Sequence, residues 1–308
     1  MNAHYAETSD IVRIQNLSRR FDHIDALNQV SIQVKKGQVF GIVGENGAGK
    51  TTLIKHILGL YQAQHGEVRV FGQNPVKHPG SVLSNIGYLS EEPDMPAWMK
   101  VSEIVNYLAA FYPKWDMPYA EKLLGIFGVD HSKKIKSLSK GQKARVGLCL
   151  AQAHRPELLL LDEPSSGLDP NVRNDILRAI IRTVADEGRT VIFSSHLLDE
   201  VERVCDHLMM LSHGQVLLSE PMEDVLSRHH RLTLKASDHC AHLTSIPGFI
   251  NSTQSGNEYS LDCFGDLNQI QVQLREMDIT MLSHRSLALN EVFITRSKSS
   301  LSPKKAVQ

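Results

Sequence analysis

Eight consecutive residues, Gly44-Glu45-Asn46-Gly47-Ala48-Gly49-Lys50-Thr51, fit the pattern GxxxxGK[ST] directly after the apolar run VFGIV. Glycines let such a loop curl so that successive N–H groups face a phosphate at the positive end of the helix that follows. Gly44, Asn46, Gly47, Ala48, Gly49, Lys50, Thr51 and Thr52 are therefore the candidate phosphate contacts, with Lys50 reaching the terminal oxygens and the Thr51 hydroxyl ligating Mg²⁺. A second chemistry-bearing stretch is Leu158-Leu159-Leu160-Leu161-Asp162-Glu163. A buried strand that delivers an acid at its end presents Asp162 to a metal, while Glu163, one residue on, points elsewhere and is placed to polarise an attacking water. Alone, an acidic pair after four leucines is a strand end meeting solvent; after a phosphate loop it becomes half of a nucleotide site.

Three further signals extend the constellation. Leu138-Ser139-Lys140-Gly141-Gln142 opens the helical run KARVGLCLAQA, offering a hydroxyl, free N–H groups and a partial positive charge to an anion. Read more plainly, it is an N-cap with a flexible glycine. Ser166-Gly167-Leu168-Asp169-Pro170 makes a tight turn after Glu163, and His196 follows the strand-like TVIFS, where it could sense a terminal phosphate. The chain has 15 histidines, so only this position distinguishes His196 from the rest.

These groups need elements to hold them. Residues 11–43 read as β structure with a turn at Lys36-Gly37, and a helix follows from about Gly49 to Leu58. Short strands return over 60–90, and from 101 to about 155 the spacing is helical, with Val101, Ile104, Val105 and Leu108 in one stripe and a second helix capped by Asp116. Leu158–Leu161 and Thr190–Ser194 read as strands of a parallel sheet buried on both faces, with a helix over 171–186 between them. After the turn SHGQ, a short helix ends in Arg228-His229-His230. RLTLKAS and EYSLDCF then alternate like half-exposed strands around the turn SGN, and Leu267, Ile270, Leu274 and Met277 mark an amphipathic helix. The final RSKSSLSPKKAVQ reads as a disordered tail.

Composition excludes several classes. The 308 residues carry 33 Lys+Arg against 34 Asp+Glu, a net charge of −1, which argues against stable coating of nucleic acid. Cys149, Cys205, Cys240 and Cys263 form no CxxC and read as reduced core thiols. No signal-peptide apolar region opens the chain and no apolar run reaches membrane-spanning length, so an expected membrane role passes through a partner.

The phosphate loop, LSKGQ, LLLLDEP, SGLD and His196, in this order, resemble the nucleotide-binding subunit of an ABC transporter over about residues 11–230. The resemblance implies an α/β fold of the P-loop NTPase class, ABC ATPase type: a mixed sheet with a helical subdomain over about 92–155, in a domain covering 1–230. A small α/β appendage over 231–295 and the tail 296–308 follow. It implies a head-to-tail homodimer that sandwiches ATP and Mg²⁺, with Ser139, Gly141 and Gln142 of one subunit facing the nucleotide of the other. Glu163 falls on the catalytic glutamate, His196 on the switch histidine and Asp162 on the magnesium aspartate. Phe21 falls on the aromatic that stacks on adenine, or is an ordinary core phenylalanine.

One position departs from the family pattern. Glu91 stands where a metal- and water-contacting glutamine is usual, and an ionised carboxylate cannot donate a hydrogen bond. The segment 92–118 lies where the family receives an integral-membrane permease; Trp98, Met99 and Trp115 are candidates for that groove, the rest of the stripe for core. LALNEVF and YPKWD resemble the bacterial drug- and antibiotic-export branch and suggest an exporter engine, and the location expected is the cytoplasmic face of the membrane, as a subunit peripheral through the permease. The rival readings are an ABC ATPase acting on nucleic acid or ribosomes and a transporter-associated regulator. Against the first, Leu138 lies only 88 positions after Lys50, with no heptads for the long coiled coils of chromosome-maintenance relatives.

Overall fold

The apolar run at 39–43 is the strand around which the first part of the chain assembles. The computed structural model describes residues 10–185, 188–235 and 238–301. β1 (Asp10–Phe21) and β2 (Ile24–Lys35) pair antiparallel, and β3 (Val39–Val43), wholly buried, runs into the phosphate loop. α1 (Lys50–Ile57) follows, then β4 (His65–Val70), α2 (Pro79–Leu83) and β5 (Ile86–Leu89). The helical stretch comprises α3 (Val101–Ala109), α4 (Met117–Ile126) and α5 (Lys140–Gln152). β6 (Leu158–Asp162), α6 (Pro170–Ala185), β7 (Thr190–Ser195), α7 (Leu198–Val204), β8 (His207–Ser212) and β9 (Gln215–Pro221) complete this part.

Two sheets result, a three-stranded one in the order β2-β1-β4 and a six-stranded one in the order β5-β6-β7-β3-β8-β9. In the larger sheet the neighbours from β5 to β8 are parallel. Leu158 to Leu161 are fully buried, each contributing about 2 kcal/mol of burial. Leu53, Ile54 and Ile57 of α1 sit in a core shared with Ile14 of β1, Phe40 of β3 and Leu160 of β6. In the helical stretch, Val101, Ile104 and Val105 are buried, and the Asp116 carboxylate caps α4 by accepting from the Tyr119 N–H at 2.9 Å.

The chain divides into two compact units between Val216 and Leu217, inside β9 and fourteen residues before the expected boundary at 230. The second unit contains α8 (Met222–Arg228), β10 (His229–Lys235), β11 (Phe249–Ser255), β12 (Glu258–Phe264), α9 (Leu267–Glu276), β13 (Met281–Ser286) and α10 (Leu289–Leu301). Its sheet is antiparallel in the order β11-β12-β10-β13, and Leu232, Leu234 and Leu261 pack on Ile270 and Leu274 of α9.

Three expectations are corrected here. The short helix ends at Arg228; His229 and His230 already belong to β10, where both pair with β12. The SGN turn joins β11 to β12 rather than β10 to β12, because FINSTQS forms an edge strand too polar to show alternation. The tail expected from 296 is helical through Leu301, anchored by the Arg296 guanidinium on His229 Nε2 at 3.0 Å and over the Phe264 ring. The rest of that expected tail, residues 302–308, lies outside the described residues. Cys149, Cys205 and Cys263 are free and buried, and burial pushes all three thiols up, Cys263 to about 12. The Cys240 side chain lies outside the described residues.

Candidate functional site

Parallel order brings three strand ends together. β6, β7 and β3 are adjacent, with Asp162 in register with Ser194 and Val43 with Ser195. The loops that leave these strands therefore emerge at one edge of the sheet, where open α/β sheets bind ligands. They carry the phosphate loop, Glu163 and His196.

The phosphate loop is braced from behind. The Gly214 N–H donates to Ala48 O at 3.0 Å, and Ala48 N–H donates to Glu45 O at 3.1 Å. Gly49, at φ 108°, precedes α1, and a Cβ there would lie 2.4 Å from Ala26 O, so only glycine fits. The first turn of α1 has no side-chain cap and no acidic residue, leaving its N–H groups for an anion. Lys50 is 6% exposed and its ammonium donates to Gly44 O at 2.6 Å and Glu45 O at 3.2 Å.

The same ammonium stands 2.9 Å from Glu163 Oε1. Glu163 Oε2 is 2.7 Å from His196 Nδ1 and accepts from the His196 backbone N–H at 3.3 Å. Glu163 itself lies at φ 50°, in the left-handed region that costs a residue with a Cβ about 1 kcal/mol. Its N–H is held there by Ser194, with Oγ at 3.0 Å and the carbonyl at 3.2 Å.

Asp162, 2% exposed, accepts from Ser194 Oγ at 2.7 Å and from the Thr51 hydroxyl. Burial raises its carboxyl above the ordinary range, with Glu163 adding to the rise and the two hydroxyls and Lys50 opposing it. A carboxylate ionised at such cost is a place where a cation is welcome. The described residues hold no cluster of three or more His, Cys, Asp or Glu able to bind a metal. A pair of hard oxygen donors, Thr51 and Asp162, nevertheless fits Mg²⁺, which keeps waters and takes its remaining oxygens from phosphates.

Lys50, Thr51, Asp162, Glu163 and His196 thus meet in one cluster. Other expected residues stand apart from it. Ser139 and Gln142 form a reciprocal capping box at the start of α5, with bonds of 3.2 and 3.0 Å, and Gly141 is buried against Val172 of α6. Phe21 packs edge-on to Tyr61 at 5.6 Å beneath the Arg19 guanidinium. Glu91 accepts from Ser166 Oγ at 2.9 Å, so its described contact is with the turn after Glu163.

Of the aromatic partner candidates, Trp98 is exposed, whereas Trp115 is half-buried beside Tyr112, which stacks on His154. Tyr107 and Phe111 had not been singled out; they are exposed, lie edge to face at 5.0 Å and line a groove with Leu83 and Leu108. Their i,i+4 spacing off the buried stripe was the available signal. Ser194 was also missed, its signal being a hydroxyl inside an otherwise apolar strand. A separate cavity of about 460 Å³ lies between α4, α5 and α6, lined by Tyr119, Phe127, Gln152 and Arg178 and by none of the clustered residues.

Residues 27–166 match the ABC transporter family. The chain is 29% identical to the ABC transporter ATP-binding protein YtrB of Bacillus subtilis, over 93% of this chain and 98% of that protein. It is 32% identical to the bacitracin transport ATP-binding protein BcrA of Bacillus licheniformis, over 75% of this chain and 76% of that one. Among solved structures, cbiO1 from Clostridium perfringens, part of the ABC transporter complex cbiONQ, superposes with a TM-score of 0.63 at 26% identity, over 71% of this chain and 91% of that one.

Proposed function

Since this chain belongs to the ABC transporter ATP-binding family and is an ATPase of that kind, with its α/β cassette fold, we propose that it hydrolyses Mg-ATP as one half of a head-to-tail pair and thereby drives a membrane exporter. The observation that carries the reading is the cluster in which the buried Glu163 carboxylate contacts both the buried Lys50 and the exposed His196, beside Asp162 and Thr51. ATP phosphates entering the loop meet the free N–H groups of α1 and compete with Glu163 for the Lys50 ammonium. Each Lys50–phosphate contact that forms releases one oxygen of Glu163 toward a water in line with the γ-phosphate. His196 keeps the other oxygen and with it the orientation of the carboxylate. Mg²⁺ held by Thr51 and Asp162 supplies neutralisation of phosphate charge.

The capping box leaves the start of α5 exposed and outside the Lys50 cluster, which supports its use toward the nucleotide of a second copy. Ser139, Gly141 and Gln142 then approach the γ-phosphate in trans, and losing that phosphate removes what the two copies share. Phe21 takes the adenine. The permease docks on the exposed aromatics Trp98, Tyr107 and Phe111 at the cytoplasmic face. The described residues include no helix long and apolar enough to cross a membrane. Export as the direction rests on the resemblance of LALNEVF and YPKWD to the antibiotic-export branch, and BcrA is named for bacitracin transport.

Glu163→Gln tests the assignment. ATP turnover is expected to fall about 100-fold or more while ATP binding persists, and the variant should elute as an ATP-dependent dimer on size exclusion. Turnover at the wild-type rate would remove Glu163 from the role of base.

A further inference from the structure

We propose that Glu200, on α7, is a positioning residue that sets the geometry of the Glu163–His196 pair through one buried carboxylate; this rests on the ATPase reading of that pair. Glu200 is 1% exposed. Its Oε2 accepts from Ser165 Oγ at 2.7 Å and from Ser195 Oγ at 3.1 Å, while its Oε1 lies 3.0 Å from Arg173 Nε on α6. Ser165 belongs to the turn that leaves Glu163, and Ser195 immediately precedes His196. A single oxygen therefore ties together the two loops that carry the reacting pair.

The serine next to His196 is held at both sides. Ser195 Oγ donates to Glu200 and accepts from the Leu197 N–H at 3.0 Å, so it bridges across His196 and fixes the turn on which the imidazole stands. On the other loop, Glu163 adopts a left-handed conformation at φ 50°, which persists only where its surroundings impose it. Its N–H is fixed by Ser194, and the chain that follows is fixed two residues later by Ser165 on Glu200. Ser165 and Ser195 are themselves buried, at 1% and 0% exposure, so neither hydroxyl has water as an alternative partner.

The chemistry of the site demands a carboxylate. Two hydroxyl donors point at Glu200 and a guanidinium lies 3.0 Å from it, and an amide in its place must set its NH2 group against either Arg173 or the serines. In Glu200→Gln one loop is thus released while side-chain volume is kept. The phosphate loop makes its contacts elsewhere, and Lys50 keeps Gly44 O and Glu45 O besides Glu163, so ATP binding is spared while the placement of base and histidine is not.

The test compares full-length Glu200→Gln with wild type in two readouts. Steady-state hydrolysis is expected to show kcat down about tenfold with KM for ATP changed by less than about twofold. Independently, in histidine-labelled protein, the His196 ring signal, identified by its absence from His196→Gln, is expected to move toward the position it takes in Glu163→Gln. Ser195→Ala, which keeps the Arg173–Glu200 pair, should move the signal the same way by less and serves if Glu200→Gln fails to fold. Combining Ser165→Ala and Ser195→Ala with Glu200→Gln should add little beyond the worst single change. A ring signal unmoved in every variant overturns the proposal, whatever kcat does. A moved signal in a chain that shows no ATP turnover supports the positioning role and sinks the ATPase reading instead.

Discussion

In the first unit Glu163 divides its two oxygens between Lys50 at 2.9 Å and His196 at 2.7 Å, whereas in the second unit Asp262 receives both arms of Arg231 at 2.6 and 2.8 Å. Both carboxylates are 7% exposed. Arg231 also reaches Glu291 at 3.0 Å, Glu291 takes two bonds of 2.6 Å from Arg285, and Thr295 donates to Asp262 at 3.2 Å. Planar forks locked on carboxylates close a network and leave little for a ligand to recruit. Lysine is a point charge on a flexible stem, and a phosphate can take its ammonium from a carboxylate without a matching fork. The cost also differs. The Glu163 backbone is held in the left-handed region and burial raises the carboxyl of Asp162, while Arg285 and its neighbours hold Glu291 down at about 2. One set of charges is kept under tension, the other, partly exposed, is satisfied within itself.

The contrast is most exposed to failure at Lys50. Lys50→Met is expected to lower ATP turnover about 100-fold, because no other cation of the cluster replaces the ammonium at the phosphates. Retained turnover in a steady-state assay would mean that its contact with Glu163 is purely structural. On the other side, Arg231→Met leaves the Asp262 carboxylate buried and without its main cation. It should destabilise the second unit by about 3 kcal/mol in denaturant unfolding, with ATP affinity unchanged. Loss of ATP affinity there would erase the distinction between the two networks.

Asp162→Asn is a smaller and signed test. Because the folded carboxyl holds its proton above the ordinary 3.8, wild-type stability falls as pH rises from about that value through the raised folded one. The amide removes this penalty, so its Tm should exceed that of wild type near neutral pH. The gain should shrink as pH falls toward 4, while ATP turnover is lost throughout. An equal Tm at both pH values would refute the tension attributed to this site.

The smallest effect is shared by the two units. Burial brings His154 in the first and His229 in the second down to about 4 from 6.5. A lowered histidine means that stability is lost as pH falls below 6.5 toward 4, so both units should weaken on acidification. His229→Gln should flatten the acid limb of the second unit alone in pH-dependent unfolding.

Much of the first unit was legible because its signals are local. GxxxxGK[ST] needs only a strand before it and a helix after it, and VFGIV and KTTLIKHI supply both. Four leucines before Asp162 read as a strand covered on both faces, and β6 is one. The second unit was less legible at its edges. β11 offers polar residues to solvent and so carries no alternation, and α10 runs past 296 because Arg296 is held by His229 and Phe264, both distant in sequence. Glu200 was invisible for the same reason: a glutamate in LDEVERV reads as the polar face of a helix, and only folding buries it on two serines.

The sequence alone determined the kinds of chemistry available, a phosphate loop with a cationic side chain, a metal-facing acid and a second acid beside it. Those depend on neighbours in the chain and on the alternation of faces along a strand. Which charges face one another was decided by the tertiary structure. The order β6-β7-β3 brings Glu163 to Lys50 and His196 to Glu163 across separations of 113 and 33 positions. Those pairings follow from strand neighbours chosen by burial of whole apolar faces, a property of the assembled sheet that no single stretch of residues contains.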